Sequence, residues 1–234
     1  MEINTAIILA GGMGTRLRSA VPDLPKPMAP VNEHPFLEHQ MDYWIGQGID
    51  QFIISVGYKK EMIIDHFGKY YRNAVISYAI EEQPLGTGGG LLLAAQELNE
   101  PFLVLNGDTF FEVDLAELLE FHTAHASDWT FSLFRANEVG RYMGMDVQPD
   151  GKITSFKSGT DTLGRLANGG VYLMNPSVLK KSGFSAGEKV SLEDDFIPKL
   201  SDQSAGLYGL ECPGRFIDIG VPQDYARAAE VLLN

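Results

Sequence analysis

The chain has a single cysteine, Cys212, among 234 residues. It can close no internal disulfide, and no Cys or His stands near it at metal-ligand spacing. A reducing compartment, with Cys212 as a small residue near the end of a strand, is the simple reading. Positive charge is scarce as well: 18 Lys and Arg face 31 Asp and Glu, a net charge of −13. Such a surface repels phosphate backbones and anionic lipid, which argues against nucleic acid and membranes as partners. A small anionic substrate stays compatible only if a local cluster of cations offsets the field. Long apolar runs are missing: none approaches the ~20 residues of a membrane span. The opening residues Met-Glu-Ile-Asn carry no basic segment of the kind that begins a signal peptide. A cytoplasmic protein is expected. There is no internal repeat, low-complexity tract or linker-like stretch. With 44% hydrophobic residues, the chain fits one α/β domain over 1–234 that buries its own core.

What is present is alternation. Residues 5–10, 51–56, 75–80 and 102–105 read as strands; 35–47, 60–67 and 88–98 read as helices. Strand, helix, strand in repeated order predicts a doubly wound sheet with right-handed crossovers. Ligands in such sheets sit at the carboxyl ends of the strands. Those ends carry Gly11-Gly12, Glu81-Glu82 and Asn106-Gly107-Asp108. After about residue 112 the rhythm changes. Helix 115–125 is followed by strand-like pieces at 130–134, 145–148, 153–156 and 170–174, with Pro149-Asp150-Gly151 as a turn. Strands 205–210 and 216–219 and helices 192–200 and 221–233 complete the expectation.

The stretch Leu9-Ala10-Gly11-Gly12-Met13-Gly14-Thr15-Arg16-Leu17 follows the first strand. Its glycines let backbone N–H groups turn toward an anion, Thr15 adds a hydroxyl, and Arg16 adds a forked cation suited to phosphate. In Pro25-Lys26-Pro27-Met28 two prolines bracket Lys26 and stiffen the segment that carries it. Neither the Walker spacing nor the dinucleotide fingerprint is present. Glu82 and Gln83 are placed to meet the edge of a base, and Gly88–Gly90 opens a helix N-terminus to a ligand. Asp108, beside a glycine at a strand end, suits Mg²⁺, which takes oxygen ligands and one or two protein carboxylates beside phosphate. His122 and His125 lie three apart on a helix without a third ligand and read as solvated or capping residues. Ser191 with Asp194 reads as a variant capping box.

L-A-G-G-x-G-T-R-L followed by P-K-P-M resembles the signature of the sugar-phosphate nucleotidyltransferases, and the resemblance extends over nearly the whole chain. It implies a Rossmann-like domain with a mixed, mostly parallel central sheet flanked by helices. The nucleotide half would span about 1–112 and the sugar-phosphate half about 113–234. It implies nucleotide contacts from Leu9, Ala10, Gly11, Gly12, Gly14, Thr15, Arg16, Lys26, Glu82, Gln83, Pro84, Gly86, Thr87, Asn106 and Gly107. Arg16, Lys26 and Asp108 would be catalytic. Asp108 and Asp218, the latter in Phe216-Ile217-Asp218-Ile219-Gly220, would hold Mg²⁺. Arg141, Tyr142, Lys157, Asn168, Gly169 and Glu193 would meet the sugar phosphate. Two of these places depart from the family pattern: Met143 is inserted in the R-Y-G loop, and Ser155-Phe156-Lys157 lacks the usual glutamate.

Within the family, K-P-M-A-P, S-V-G-Y and E-x-P-L-G-T-G-G most resemble the guanylyltransferases of heptose 1-phosphates. That implies GTP and a D-glycero-D-manno-heptose 1-phosphate as substrates. Uridylyl, thymidylyl or guanylyl transfer to N-acetylmuramate, glucose or mannose 1-phosphate is the neighbouring alternative. A non-catalytic homologue that binds sugar nucleotide would typically lose Arg16, Lys26 or a metal aspartate, and all are here. A metal-dependent glycosyltransferase would want D-x-D, and Asn106-Gly107-Asp108 lacks the first acid. A homo-oligomer is compatible with the family.

Overall fold

The computed structural model describes residues 2–136, 141–157, 163–202 and 205–232. The nucleotide half begins with β1 (Thr5–Leu9), a two-strand hairpin of β2 (Pro30–Val31) and β3 (His34–Pro35), and helix α1 (Phe36–Gly46). Then come β4 (Gln51–Val56), α2 (Lys60–Phe67), β5 (Tyr70–Tyr71), β6 (Ala74–Ile80), α3 (Gly86–Ala94), β7 (Phe102–Asn106) and β8 (Thr109–Phe111). The remainder supplies α4 (Leu115–Ala124), β9 (Trp129–Arg135), β10 (Gly144–Val147), β11 (Ile153–Lys157), β12 (Leu166–Met174) and α5 (Ser177–Ser182). A π-helical turn, Leu192–Phe196, leads into α6 (Ile197–Asp202), followed by β13 (Leu207–Glu211), β14 (Phe216–Asp218) and α7 (Pro222–Leu232).

Ten strands form one sheet whose main path runs β11-β10-β12-β7-β1-β4-β6-β5. Strands β7, β1, β4 and β6 are parallel, as the alternation predicts. β12 then enters antiparallel to β7, with Val171 opposite Leu105, and makes the sheet mixed. β9 pairs antiparallel with β12 and parallel with β13. The central strands β1 and β7 are covered on both faces, which is why they are continuous apolar runs, whereas β6 alternates buried and exposed residues. Along β1, Ile8 joins the layer of Leu37, Met41 and Trp44 from α1 and Ile63 from α2. Its neighbour Ile7 faces the other way, toward Leu91 of α3 and Phe196, Ile197 and Leu200 of the π-turn and α6. Each such large side chain contributes roughly 1.5–3 kcal/mol on burial.

A third apolar cluster joins Leu17 and Val21, Phe36, Phe110 of β8, Ile217 of β14 and Ala228 of α7. It fixes the segment after β1 against the end of the chain. Five labelled elements escape the sequence pattern: β2, β3, β5, β8 and α5. All are short, and β8 is the one that matters for the site. It pairs antiparallel with β14 in a separate two-stranded sheet, Asp218 opposite Thr109.

Candidate active site

A cleft of about 670 Å³ opens at the carboxyl ends of the parallel strands. Its floor is β1 and β7. Gly107 N–H donates to Leu9 O (3.0 Å), and Ala10 N–H to Ser55 O (2.9 Å), so three strand ends are tied together. Leu9, Ala10, Gly11, Gly12, Gly14, Arg16 and Lys26 line the cleft, while Thr15 is exposed outside it. A Cβ on Gly11 would lie 2.0 Å from Glu81 Oε1. Gly11 is therefore required by a buried carboxylate beneath the loop as well as by any anion above it. Gly14 has φ +61°, and a side chain there would strike Lys26 Cγ at 2.7 Å. The bracketed lysine threads under the glycine loop, with its stem packed on Gly14.

The Lys26 ammonium donates to Asp108 Oδ2 at 2.8 Å. Asp218 joins this pair from the far end of the chain. Ile219 N–H donates to Asp108 O (2.9 Å), continuing the β8–β14 ladder past Thr109 and setting the two aspartates side by side. Burial first, and the Asp108 charge second, push the Asp218 carboxyl above the usual carboxylate range; Gly220 N–H, Arg141 and Lys26 partly oppose this. A pair of adjacent carboxylates facing the cleft is a donor set that Mg²⁺ takes, with the rest of its shell left for phosphate and water. No cluster of three or more His, Cys, Asp or Glu side chains able to hold a metal occurs among the described residues. The chemistry fits magnesium and offers nothing to a thiophilic metal.

Arg141 is held from behind. Its guanidinium pairs with the buried Asp224 of α7, donates to Asp218 O (3.1 Å), and lies 3.6 Å from Asp218 Oδ2. Asp224 is also paired with Arg227 one turn on. Tyr142, Met143 and Phe216 form an apolar wall of the cleft. Phe216 stacks on Phe134 with ring centroids 3.8 Å apart. Arg16 and Lys189 also line the cleft, and neither has an ion-pair partner among the described residues. The cations sought in an acidic chain are thus few and localised.

Several sequence expectations land differently. Glu82 and Gln83 are exposed outside the cleft, and Glu82 pairs with Lys60 at 3.5 Å. The carboxylate that faces the cleft is the preceding one. Glu81 is buried, accepting from Ser55 Oγ (3.0 Å) and Leu85 N–H (3.0 Å). The strand-end rule pointed to it, since it directly follows β6. Gly88 and Gly89 do not open a helix end to a ligand. Their N–H groups donate to Val190 O (2.9 and 3.1 Å), and a Cβ on Gly89 would meet Glu188 O at 2.4 Å. Thr87 binds across this contact: its hydroxyl donates to Glu193 Oε2 (3.1 Å) and accepts from Leu192 N–H (2.9 Å). Pro84, Gly86, Thr87, Asn106, Gly107, Asn168 and Glu193 line the cleft.

Gly169 does not line it. A Cβ there would meet Phe111 at 2.4 Å, and Gly170 takes its place on the cleft surface. Lys157 ends β11 opposite Gly144, and its side chain lies outside the described residues. His122 is buried rather than solvated, its Nδ1 2.8 Å from Thr130 Oγ1. His125 caps α4 through Phe121 O (2.9 Å), and Ser191 caps the π-turn by accepting from Asp194 N–H (3.0 Å). Cys212 is buried just after β13, where burial pushes its thiol up to about 12.

A glycine loop, a lysine–aspartate pair and a second aspartate thus meet at the carboxyl edge of the parallel strands. The nucleotidyl transferase family model matches residues 5–234, and the chain belongs to that family. It is 44% identical over 229 residues to the D-glycero-alpha-D-manno-heptose 1-phosphate guanylyltransferase of Aneurinibacillus thermoaerophilus, covering 97% of both chains. The enzyme of the same name from Campylobacter jejuni is 39% identical over 94% of this chain and 96% of its own. The crystal structure of HddC from Yersinia pseudotuberculosis complexed with GMP-PN superposes with a TM-score of 0.84 at 34% identity, over 97% of this chain and 99% of that one.

Proposed function

We propose that the protein transfers GMP from GTP to a D-glycero-α-D-manno-heptose 1-phosphate, yielding GDP-heptose and pyrophosphate. The full-length 44% identity to a relative of that name carries the reading. The cleft supports it, because its charged groups stand where a triphosphate and a sugar phosphate would meet. A phosphate oxygen of the sugar attacks the α-phosphorus in line, and the bond to the β-phosphate oxygen breaks to release pyrophosphate. The nucleophile is already anionic, so no general base is required, and catalysis rests on positioning and charge stabilisation.

The loop Gly11–Gly14 with Arg16 holds the β- and γ-phosphates, and Lys26 reaches the reacting centre. Asp108 and Asp218 would hold Mg²⁺, which supplies further charge neutralisation when bound. Glu193, Asn168 and Arg141 face the sugar phosphate, and the wall of Tyr142, Met143 and Phe216 offers it apolar contact. The whole chain acts as one domain in two halves. No helix among the described residues is long and apolar enough to cross a membrane. A lone cysteine held as a buried free thiol suits the cytoplasm.

Pyrophosphate release from a matrix of nucleoside triphosphates and sugar 1-phosphates tests this. GTP with the heptose 1-phosphate should give the highest kcat/KM. A higher value with mannose 1-phosphate or UTP overturns the substrate assignment, and no release from any pair overturns the activity.

A further inference from the structure

Beneath the cleft lies a tyrosine that no step above uses. Tyr172 of β12 is fully buried, and its hydroxyl accepts from Asn168 Nδ2 at 2.9 Å. The side-chain amide of Asn106 borders the same hydroxyl. The two asparagines come from neighbouring strands, Asn106 from β7 and Asn168 from β12, and both line the cleft. One belongs to the nucleotide side and the other to the sugar side.

An irregularity in the sheet makes this meeting possible. Between Asn168 and Tyr172 the pairing of β12 with β9 shifts register: Asn168 stands opposite Leu133, and Tyr172 opposite Phe131. The extra residues are Gly169 and Gly170. Gly170 has φ +72°, which a side chain adopts only under strain, and a Cβ there would lie 2.9–3.2 Å from Asn106 atoms. The bulge folds Asn168 back over Tyr172, and the missing Cβ admits Asn106.

Hydrogen-bond direction then follows from one fixed donor. Gly170 N–H donates to Asn168 Oδ1 (3.0 Å), and a backbone N–H can only donate. Asn168 Oδ1 is therefore the acceptor, and its Nδ2 donates to Tyr172. The tyrosine keeps its own proton, since burial pushes the phenol well above its usual range. That proton needs an acceptor, and Asn106 Oδ1 is a buried oxygen with no hydrogen-bond partner among the described residues. A half-turn of the Asn106 amide, whose N and O have nearly the same shape, brings the two together.

We propose that Tyr172 is a positioning residue that holds Asn168 and Asn106 in one relay, Gly170 N–H to Asn168 to Tyr172 to Asn106. The relay sets both cleft amides at once, one for each substrate. This rests on the proposed transferase reading for what the amides touch, but the relay itself does not.

Tyr172→Phe removes the hydroxyl and keeps the ring. The substitution should lower kcat/KM for both substrates by about tenfold, the scale of leaving a buried polar group unpaired. Phe131→Leu, a core change beside the same ring, should destabilise the protein and leave kcat/KM within about twofold; it controls for lost stability. Added to an Asn106→Ala, Asn168→Ala protein, Tyr172→Phe should cost less than about twofold more, because its route of action is gone. The side-chain NH₂ signals of Asn106 and Asn168, read by NMR without substrate, should both shift in Tyr172→Phe. A Tyr172→Phe enzyme with wild-type kinetics, an unchanged penalty in the double-alanine background, or unmoved Asn signals would each overturn the proposal. If wild type turns over no substrate pair, the transferase reading fails while the NMR signals still decide the relay.

Discussion

Lys26 and Asp108, 82 positions apart in the chain, form an ion pair of 2.8 Å at the centre of the cleft. Its two halves have separate duties in the proposed reaction, charge on the triphosphate and a ligand for Mg²⁺. Asp108→Asn should raise the barrier by at least ~2 kcal/mol, on the scale of removing one preorganised charge contact. Lys26→Ala should lower kcat comparably. Steady-state kinetics check both. Unchanged turnover in Asp108→Asn would remove the aspartate from the metal site, and an effect of Lys26→Ala on sugar affinity alone would remove the lysine from the reacting centre.

The surroundings of Asp218 disfavour its charged form. Burial and the neighbouring Asp108 raise its carboxyl, so the charged form costs folding free energy that a divalent cation would recover. Without Mg²⁺, Asp218→Asn should melt above wild type. Millimolar MgCl₂ should raise the Tm of wild type and have a smaller effect on Asp218→Asn. Thermal unfolding with and without EDTA reads both shifts, and equal Mg²⁺ responses would detach Asp218 from the ion.

How far the sequence foretold the site depends on how local each feature is. Strands β1 and β7 were legible because burial on both faces leaves unbroken apolar runs, β6 because it alternates, and 51–56 and 60–67 coincide with β4 and α2. The glycine loop and the bracketed Lys26 were legible as local motifs. The meeting of Asp108 with Asp218 came only from family likeness. It depends on β8, a three-residue strand too short to show a period, pairing with β14. Glu81 and Glu82 were adjacent and chemically identical; strand register alone turned one into the cleft and the other to solvent. Met143 showed in the sequence only as an insertion in the R-Y-G loop, and Lys189 carried no signal at all, since tertiary packing places it on the cleft. The glycines at 88 and 89 misled, because their purpose is a helix–loop contact that appears once residues 188–192 are in place.

That contact predicts opposite outcomes for two glycine substitutions. Gly89→Ala drives a methyl to 2.4 Å from Glu188 O and 2.7 Å from Leu85 Cβ, and backbone must move to admit it. Overpacking of this kind should cost about 1–3 kcal/mol in urea unfolding. The displaced segment carries Glu193, so KM for the sugar phosphate should rise as well. Gly46, at the end of α1, has open space where a methyl would sit, with nothing within 4 Å, and no positive φ. Gly46→Ala should stabilise by about 0.5–1 kcal/mol through the unfolded chain and leave kinetics alone. Equal effects from the two changes would deny the packing role of the α3 glycines.

His122 makes folding stability depend on pH. Burial lowers its pKa from 6.5, with Asn175 and Asp128 opposing, and its Nδ1 meets the Thr130 hydroxyl. The folded state resists protonation while the unfolded chain accepts it near 6.5. Between the folded pKa and 6.5 the unfolded state therefore binds more protons, and stability falls as pH falls through that window. One such group gives a slope of at most ~1.4 kcal/mol per pH unit. Chemical denaturation of wild type and His122→Gln at a series of pH values from neutral downward isolates the term. The difference between the two curves should narrow on acidification, because only wild type carries the penalty of charging a buried imidazole. A constant difference would show that His122 does not titrate differently in the folded and unfolded states.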